Sequence, residues 1–256
     1  MIVADESYAL RKWISNPDWK TVNSKYDFFD TMMGNSVRSS LHGRRSRESK
    51  GGVTNLQLFG YNVPDQWQGA YDRYIQVIGD KTAWDTAVML RLKGTAAIYE
   101  MEEKLGVKVK FIHVVRNPFD NIATFVLRHR DIQARDADPN IKNSQQINAS
   151  EILDIKIQLY NNWAEGTHVA QKTFPEDFIN VVSMDVVKNP ADSLRRICDF
   201  LDITCEEKYI QDCAAIVDPV PSITRHRIVW TDEQINRVYA MMKKFPFYDR
   251  FTFEDE

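Results

Sequence analysis

The strongest hydrophobic pattern in the chain covers Val109–Arg130. Its first part, Val109–Val115, is rich in β-branched and aromatic residues and predicts a buried strand. Apolar residues then recur with helical spacing, and the start of this helix is well marked. Asn117 suits the N-cap position, Pro118 suits the first helical position, and Asp120 lies in the first turn, where acidic groups are favoured. The pattern therefore predicts a strand that leads directly into a helix.

Strands and helices alternate along the rest of the chain. Two further strands are predicted at Tyr74–Gly79 and Phe178–Met184. Apolar periodicity and end signals predict helices over Tyr8–Ile14, Tyr26–Leu41, Trp84–Leu105, Glu151–Lys172, Asn189–Leu201, Glu206–Val217 and Thr231–Lys244. This alternation predicts an α/β fold of three layers, with a parallel sheet flanked by helices. Because three strands are few for this length, we expect part of the sheet to be missing.

Length and composition narrow the class of protein. A chain of 256 residues with 43% hydrophobic residues can build one packed domain over residues 1–256. The net charge of −3 argues against general nucleic-acid binding. We find no apolar run of about 18 residues, so no membrane segment is expected in this chain.

The cysteines and histidines give no metal-site pattern. Cys198, Cys205 and Cys213 lack zinc-site spacing, and an odd count does not indicate a disulfide framework. We therefore expect a reducing, cytoplasmic environment and no bound metal. His113 lies within the predicted central strand, where a hydrogen-bonded core histidine is the expected role.

Arg116 is the first candidate binding residue, because it stands where the central strand ends and the next helix begins. Ligands of open α/β sheets bind at that edge. A guanidinium offers phosphate a planar fork of donors, and Thr124 adds a hydroxyl about two turns along the helix. Geometry alone fits a solvated or carboxylate-paired arginine equally well.

The segment Val114–Asn121 resembles a known family. Arg-x7-Ser/Thr after an apolar strand is similar to the 3′-phosphate-binding segment of sulfotransferases that use 3′-phosphoadenosine 5′-phosphosulfate (PAPS). The resemblance implies a P-loop NTPase-like fold, PAPS as the co-substrate, and an acceptor bearing a hydroxyl or amine. It also implies that Arg116 and Thr124 hold the 3′-phosphate of the nucleotide.

A second basic segment, Ser222–Arg227, resembles the Ser-x-Thr-Arg loop that closes over the nucleotide in this family. The resemblance implies that Arg225 contacts the 3′-phosphate or the adenosine side. The alternative is a basic surface turn that joins two helices.

Two further residues are candidates for the reaction itself. Lys81 resembles the strand-end lysine that many sulfotransferases direct at the reacting centre, although it also fits an ordinary polar strand end. Glu6 resembles the acceptor-deprotonating glutamate of Golgi and tyrosylprotein sulfotransferases, and burial would raise its pKa for that task. It fits the N-cap of a first helix equally well. The Lys-Thr-His pattern of the cytosolic family is absent, because Ala83 follows Thr82.

Three segments are predicted to be loops near the site. His42–Gly52 is basic and glycine-rich, which is typical of a solvated surface loop or of a gate for anionic ligands. Tyr61–Gly69 either lines an acceptor pocket or packs its aromatic residues in the core. Ile132–Ser150 is polar and long enough to act as a lid.

One part of the family pattern is absent from this sequence. Sulfotransferases begin with a strand and a Pro-x-Ser-Gly-Thr-type loop whose backbone amides hold the 5′-phosphosulfate. Neither this loop nor a Gly-x4-Gly-Lys-Ser/Thr motif occurs here. The resemblance therefore implies that the first strand of the sheet is missing as well. Two explanations are open: a truncated sulfotransferase, for which a lost N-terminal anchor would make the Golgi lumen an alternative compartment, or a natural relative without the loop that binds nucleotide or nothing. Both predict weak or no transfer by this chain alone. A P-loop kinase or NTPase relative is a third, less favoured reading.

Overall fold

The structure is a computed structural model that describes residues 2–5, 7–15, 25–41, 63, 74–82, 84–129 and 146–254. Over these residues the chain is a mixed α/β protein that is mostly helical. The strands are β1 (Ile2–Asp5), β2 (Ile78–Lys81), β3 (Phe111–Val115) and β4 (Phe178–Val182). The helices are α1 (Ala9–Ser15), α2 (Lys25–Leu41), α3 (Trp84–Lys93), α4 (Ala96–Leu105), α5 (Pro118–Leu127), α6 (Ser150–Thr173), α7 (Ser183–Lys188), α8 (Pro190–Leu201), α9 (Glu207–Ala215) and α10 (Asp232–Met242). None of the described helices is long and apolar enough to cross a membrane.

The described strands form two parallel pairs. β1 pairs with β2, with Ile2 opposite Ile78, and β3 pairs with β4, with Phe111 opposite Phe178. Parallel pairing confirms the strand direction that the alternation of strands and helices predicted. The described residues therefore contain two small parallel sheets, where the sequence pattern predicted one larger sheet.

Two strand predictions need correction. The pattern placed a strand at Tyr74–Gly79, but β2 begins only at Ile78, and Tyr74 is 67% exposed. The strand Ile2–Asp5 was not predicted, because four residues are too few to display an alternating pattern.

Helix ends follow their sequence signals more closely. The predicted single helix Trp84–Leu105 is two helices, because Gly94 takes a left-handed backbone (φ 71°) between them. Gly106 closes α4 with φ 61° and donates its N–H to Glu102, as predicted from its position. Thr231 and Gln234 form a reciprocal capping box at the start of α10.

The chain divides into two compact units. The first unit contains residues 1–110 and 189–217, and the second contains residues 111–188 and 218–256.

Helix α1 is anchored within the first unit by a buried tryptophan and by an ion pair to a buried aspartate. Trp13 is fully buried, and its Nε1 donates to Glu100 at 3.1 Å. Arg11 bonds the carboxylate of Asp85, which is 1% exposed, with its Nε at 2.7 Å from Oδ1. These contacts join α1 to α3 and α4. Helix α1 also packs against both of these helices.

Two cysteines of the first unit are bonded to each other. The structure joins Cys198 to Cys205 in a disulfide, with 6.1 Å between their Cα atoms. Asp202 takes a left-handed backbone (φ 56°) after α8, which turns the chain back so that the two residues meet. The expectation of unpaired cysteines is therefore wrong for this pair. The count of three misled because it includes Cys213, which has a free thiol.

The core of the second unit forms where α5, α6 and α10 pack together. Helix α5 is the most apolar of the three and buries Phe119, Ile122, Ala123 and Val126 completely. The same cluster includes Val115, Leu153, Ile157, Ile228, Val238, Met241, Phe245 and Phe251. Because α5 follows β3 directly, this packing fixes the end of β3.

Strand β3 is buried on one face only. His113 packs against Phe247, and its Nδ1 donates to Asn180 Oδ1 at 2.8 Å, which confirms its expected hydrogen-bonded role. On the opposite face, Ile112 is 41% exposed and Val114 is 63% exposed. The prediction of a strand buried on both faces is therefore wrong for that face.

Candidate anion-binding site

The turn from β3 into α5 presents Arg116 at the carboxyl end of the strand. Asn117 caps α5, because its Oδ1 accepts the Phe119 N–H at 3.0 Å, and Pro118 occupies the first turn. The Nδ2 of Asn117 also donates to the Thr252 carbonyl at 2.8 Å. The capping prediction is thus confirmed, and the turn that carries Arg116 is held on both sides.

Arg116 and Thr124 meet, as the spacing of the motif requires. Arg116 Nη1 donates to Thr124 Oγ1 at 3.2 Å. The same guanidinium reaches the second basic segment, where Nη2 donates to the Ser222 carbonyl and lies 3.4 Å from Thr224 Oγ1. The hydroxyl oxygens of Thr124 and Thr224 are 3.0 Å apart. We call these groups, Arg116, Thr124, Ser222 and Thr224, the anion site.

Asp120 connects the two segments that build the anion site. Its Oδ1 accepts the backbone N–H groups of Thr224 at 2.8 Å and Arg225 at 2.9 Å. Its Oδ2 accepts from Arg225 Nη1 at 2.7 Å. The Asp120 backbone carbonyl also accepts from both Thr124 Oγ1 and Thr224 Oγ1, each at 2.8 Å. One aspartate therefore fixes a loop that lies more than a hundred residues away in sequence.

The structure buries Arg225. Its side chain is 1% exposed, and its guanidinium is paired with Asp120 and lies 3.4 Å from the Glu254 carbonyl. A guanidinium so enclosed holds the loop in place and does not present its charge at the surface. Arg225 therefore holds the loop in position, and its contact with a nucleotide stays a prediction.

The loop around Arg225 is held from two other directions. The Trp230 Nε1 donates to the Arg225 carbonyl at 2.9 Å. Ile147 forms a bridge with Ile228, and its N–H donates to the Arg227 carbonyl at 2.9 Å. Ser222, Ile223, His226 and Arg227 are exposed, whereas Thr224 and Arg225 are buried, so this surface turn is anchored by its two central residues beside the anion site.

Among the charged groups that act on Arg116, the described residues include two arginines and one aspartate. Among the described residues, no carboxylate lies within ion-pairing distance of Arg116. Burial lowers the pKa of Arg116, the negative charge of Asp120 opposes this shift, and the positive charges of Arg128 and Arg225 add to it. An arginine nevertheless keeps its proton at neutral pH. Asp120 does not neutralise Arg116 directly, because Arg225 occupies its carboxylate.

Lys81, one of the two candidates for the reaction, lies in the first unit. Lys81 is the last residue of β2 and is exposed. Its neighbour Asp80 accepts the backbone N–H groups of Ser7 at 2.9 Å and Ala9 at 2.8 Å, and so holds the turn between β1 and α1. Glu6 lies outside the described residues.

Most of the predicted loops also lie outside the described residues. These are His42–Gly52, the 132–145 part of Ile132–Ser150, and Tyr61–Gly69 apart from Val63. In the described part of the chain, no three His, Cys, Asp or Glu side chains cluster as metal ligands would.

Sequence reasoning missed two residues of this region. Asp120 was expected only to favour the helix start, and Thr224 was expected only as part of a motif. Their contact spans a sequence separation of 104 residues, so no local pattern could have shown it.

The chain matches no protein-family model, no curated protein and no solved structure.

Proposed function

We propose that this chain is a nucleotide-binding member of the PAPS-dependent sulfotransferase class, and that the anion site holds the 3′-phosphate of adenosine 3′,5′-bisphosphate or PAPS. The observation that carries the proposal is the contact of Arg116 with Thr124 and with the Ser222–Thr224 segment. Two motifs that were assigned separately from sequence meet at a guanidinium with no carboxylate partner in the described chain. Such a guanidinium suits a phosphate dianion.

The reaction proposed for the class is transfer of a sulfuryl group from PAPS to a hydroxyl or amine acceptor, releasing adenosine 3′,5′-bisphosphate. In this proposal Lys81 stabilises the bridging oxygen as the sulfur–oxygen bond breaks, and Glu6 takes the proton of the acceptor. No metal takes part. Neither nucleic acid nor a membrane is a proposed partner.

The sequence favours a second candidate function beside this one. It lacks a Pro-x-Ser-Gly-Thr-type loop, which would hold the 5′-phosphosulfate and stabilise charge in the transition state. We therefore propose that the chain by itself transfers sulfate weakly or not at all. A catalytically inactive nucleotide-binding relative is the corresponding alternative function.

We also propose a specific fold and a specific cellular compartment for this chain. The proposed fold is a P-loop NTPase-like arrangement, with a parallel sheet between two layers of helices. It is supported by the parallel pairing of both described strand pairs.

The cysteine count predicts a reducing compartment, the cytoplasm. The Cys198–Cys205 disulfide instead favours an oxidising one, such as the Golgi lumen.

Isothermal titration calorimetry tests the proposed ligand. The purified chain should bind adenosine 3′,5′-bisphosphate at least about tenfold more tightly than adenosine 5′-phosphate, because only the former engages the anion site. Equal binding of the two nucleotides would overturn the proposal, and tight binding of ATP with magnesium would favour a kinase or NTPase instead.

A transfer assay then separates the two candidate functions. PAPS is incubated with phenol, alcohol and sugar acceptors, and sulfated products are measured by mass spectrometry. Binding of the bisphosphate without product identifies an inactive relative, and turnover at ordinary enzyme rates would contradict the expected weak activity of this chain.

A further inference from the structure

The anion site has a second arginine close to it. Arg128 follows the last residue of α5, and its backbone N–H donates to the Thr124 carbonyl at 3.0 Å. Residues four apart on a helix share a face, so Arg128 and Thr124 stand on the same side of α5. The Arg128 side chain is exposed, and its charge acts on the Arg116 guanidinium.

The charges of this region do not cancel. Three guanidinium groups, those of Arg116, Arg128 and Arg225, interact electrostatically, and the carboxylate among them is that of Asp120. Arg225 uses that carboxylate in a buried ion pair. Within the described residues, neither Arg116 nor Arg128 has an ion-pair partner. Two positive charges therefore lie near the two threonine hydroxyls without a carboxylate partner in the described part of the chain.

A terminal phosphate supplies the charge that is missing. A phosphate monoester carries a charge between about −1.5 and −2 at neutral pH, whereas a phosphodiester carries only −1. We propose that Arg128 is a second phosphate-binding arginine, which with Arg116 makes the anion site select a terminal phosphate dianion over a phosphodiester. This inference rests on the proposed function and deepens it by naming the charge state of the ligand.

Arg128 also has a simpler structural role to separate from binding. A cation at the C-terminal end of a helix stabilises it through the helix dipole, whatever the ligand. The variant Arg128→Lys keeps that charge but loses the planar fork, and Arg128→Gln loses both. Arg250→Gln is a matched control, because Arg250 is a half-exposed arginine of the same unit that pairs with Asp185.

The experiment compares two ligands by calorimetry: adenosine 3′,5′-bisphosphate, and its derivative with a methyl ester on the 3′-phosphate. Wild type and Arg250→Gln should prefer the free phosphate by about tenfold. Arg128→Gln should lose most of this preference and bind the free phosphate about five- to tenfold more weakly, and Arg128→Lys should lie between them.

The outcomes distinguish the proposed nucleotide-binding function from the proposed role of Arg128. If wild type binds the bisphosphate and Arg128→Gln keeps both its affinity and its preference within about twofold, the role of Arg128 is refuted and the proposed function stands. If wild type binds neither ligand, the proposed function fails and the role of Arg128 fails with it. Thermal unfolding of each variant separates a loss of binding from a loss of fold.

Discussion

The carboxyl ends of β2 and β3 each carry a basic residue and a nearby aspartate, but the two aspartates hold different partners. At β2, Asp80 accepts two backbone N–H groups from the turn before α1. Near β3, Asp120 accepts two backbone N–H groups and also pairs with the buried cation of Arg225. The acid at β2 supports a turn, whereas the acid near β3 supports a buried charge network.

This difference bears on which cation is available to a ligand. Asp120 forms its ion pair with Arg225, and its charge acts on Arg116 only from a distance. The Arg116 guanidinium itself donates to threonine hydroxyls and a carbonyl. The β3 region thus places more arginines than carboxylates around the anion site among the described residues.

The largest effect is expected from breaking the buried network. Asp120→Asn should lower the free energy of unfolding by about 3–5 kcal/mol, because it leaves Arg225 buried without its counter-charge. Asp185→Asn is the matched control, since its pair with Arg250 is half-exposed and should cost less than about 1 kcal/mol. Urea unfolding measures both values. Equal losses of unfolding free energy in the two variants would contradict the claim that the buried network stabilises the fold more than the half-exposed pair does.

A smaller loss is expected at the other strand end. Asp80→Ala removes the acceptor of two N–H groups at the start of α1 and should cost about 2 kcal/mol. Lys81→Ala removes an exposed side chain, whose surface interactions should contribute less than about 1 kcal/mol. Urea unfolding measures both variants. If Lys81→Ala lowers the free energy of unfolding as much as Asp80→Ala does, Asp80 is not the residue that stabilises this strand end.

A more modest change is expected in binding when one hydroxyl is removed. Thr124→Val should weaken adenosine 3′,5′-bisphosphate by about two- to tenfold in calorimetry, as expected for the loss of one hydrogen bond. Thr167→Val is a close control, because its hydroxyl also donates to the carbonyl four residues earlier, that of Trp163. If Thr167→Val weakens binding of the bisphosphate equally, the loss in Thr124→Val comes from helix stability and not from a contact with the ligand.

The smallest effect concerns pH and His113. Burial lowers the pKa of His113 in the folded chain, so the folded state favours neutral histidine. The stability that this provides is fully present above the unfolded pKa, about 6.5, and is lost as pH falls through the lower folded value. His113→Gln should make the free energy of unfolding less dependent on pH below about 6.5. Urea unfolding at a series of pH values that shows the wild-type slope in the variant would count against this assignment.

Local signals predicted much of this molecule. Asn117 and Pro118 mark the start of α5, Gly106 marks the end of α4, and the Arg116–Thr124 spacing brings both side chains together. These features depend on residues within two or three helical turns of each other. A sequence pattern records such neighbours directly.

The features that sequence missed depend on distant parts of the chain. The sequence predicted Arg225 as a nucleotide contact, and nothing near it in sequence shows that it pairs with Asp120 in the interior. The Cys198–Cys205 pair was hidden by an odd cysteine count and by a left-handed turn at Asp202. The short strand Ile2–Asp5 is defined by its pairing with β2 more than by its own residues.

The central claim is that Arg116 recognises a 3′-phosphate, and a thermodynamic cycle tests it most directly. Calorimetry is performed on wild type and Arg116→Ala with adenosine 3′,5′-bisphosphate and adenosine 5′-phosphate, and Arg250→Ala serves as the control. Arg116→Ala should weaken the bisphosphate by about 10- to 100-fold and leave the monophosphate within about twofold, so that the preference for the 3′-phosphate disappears. A preference that survives in Arg116→Ala, or equal weakening of both nucleotides, would contradict the account.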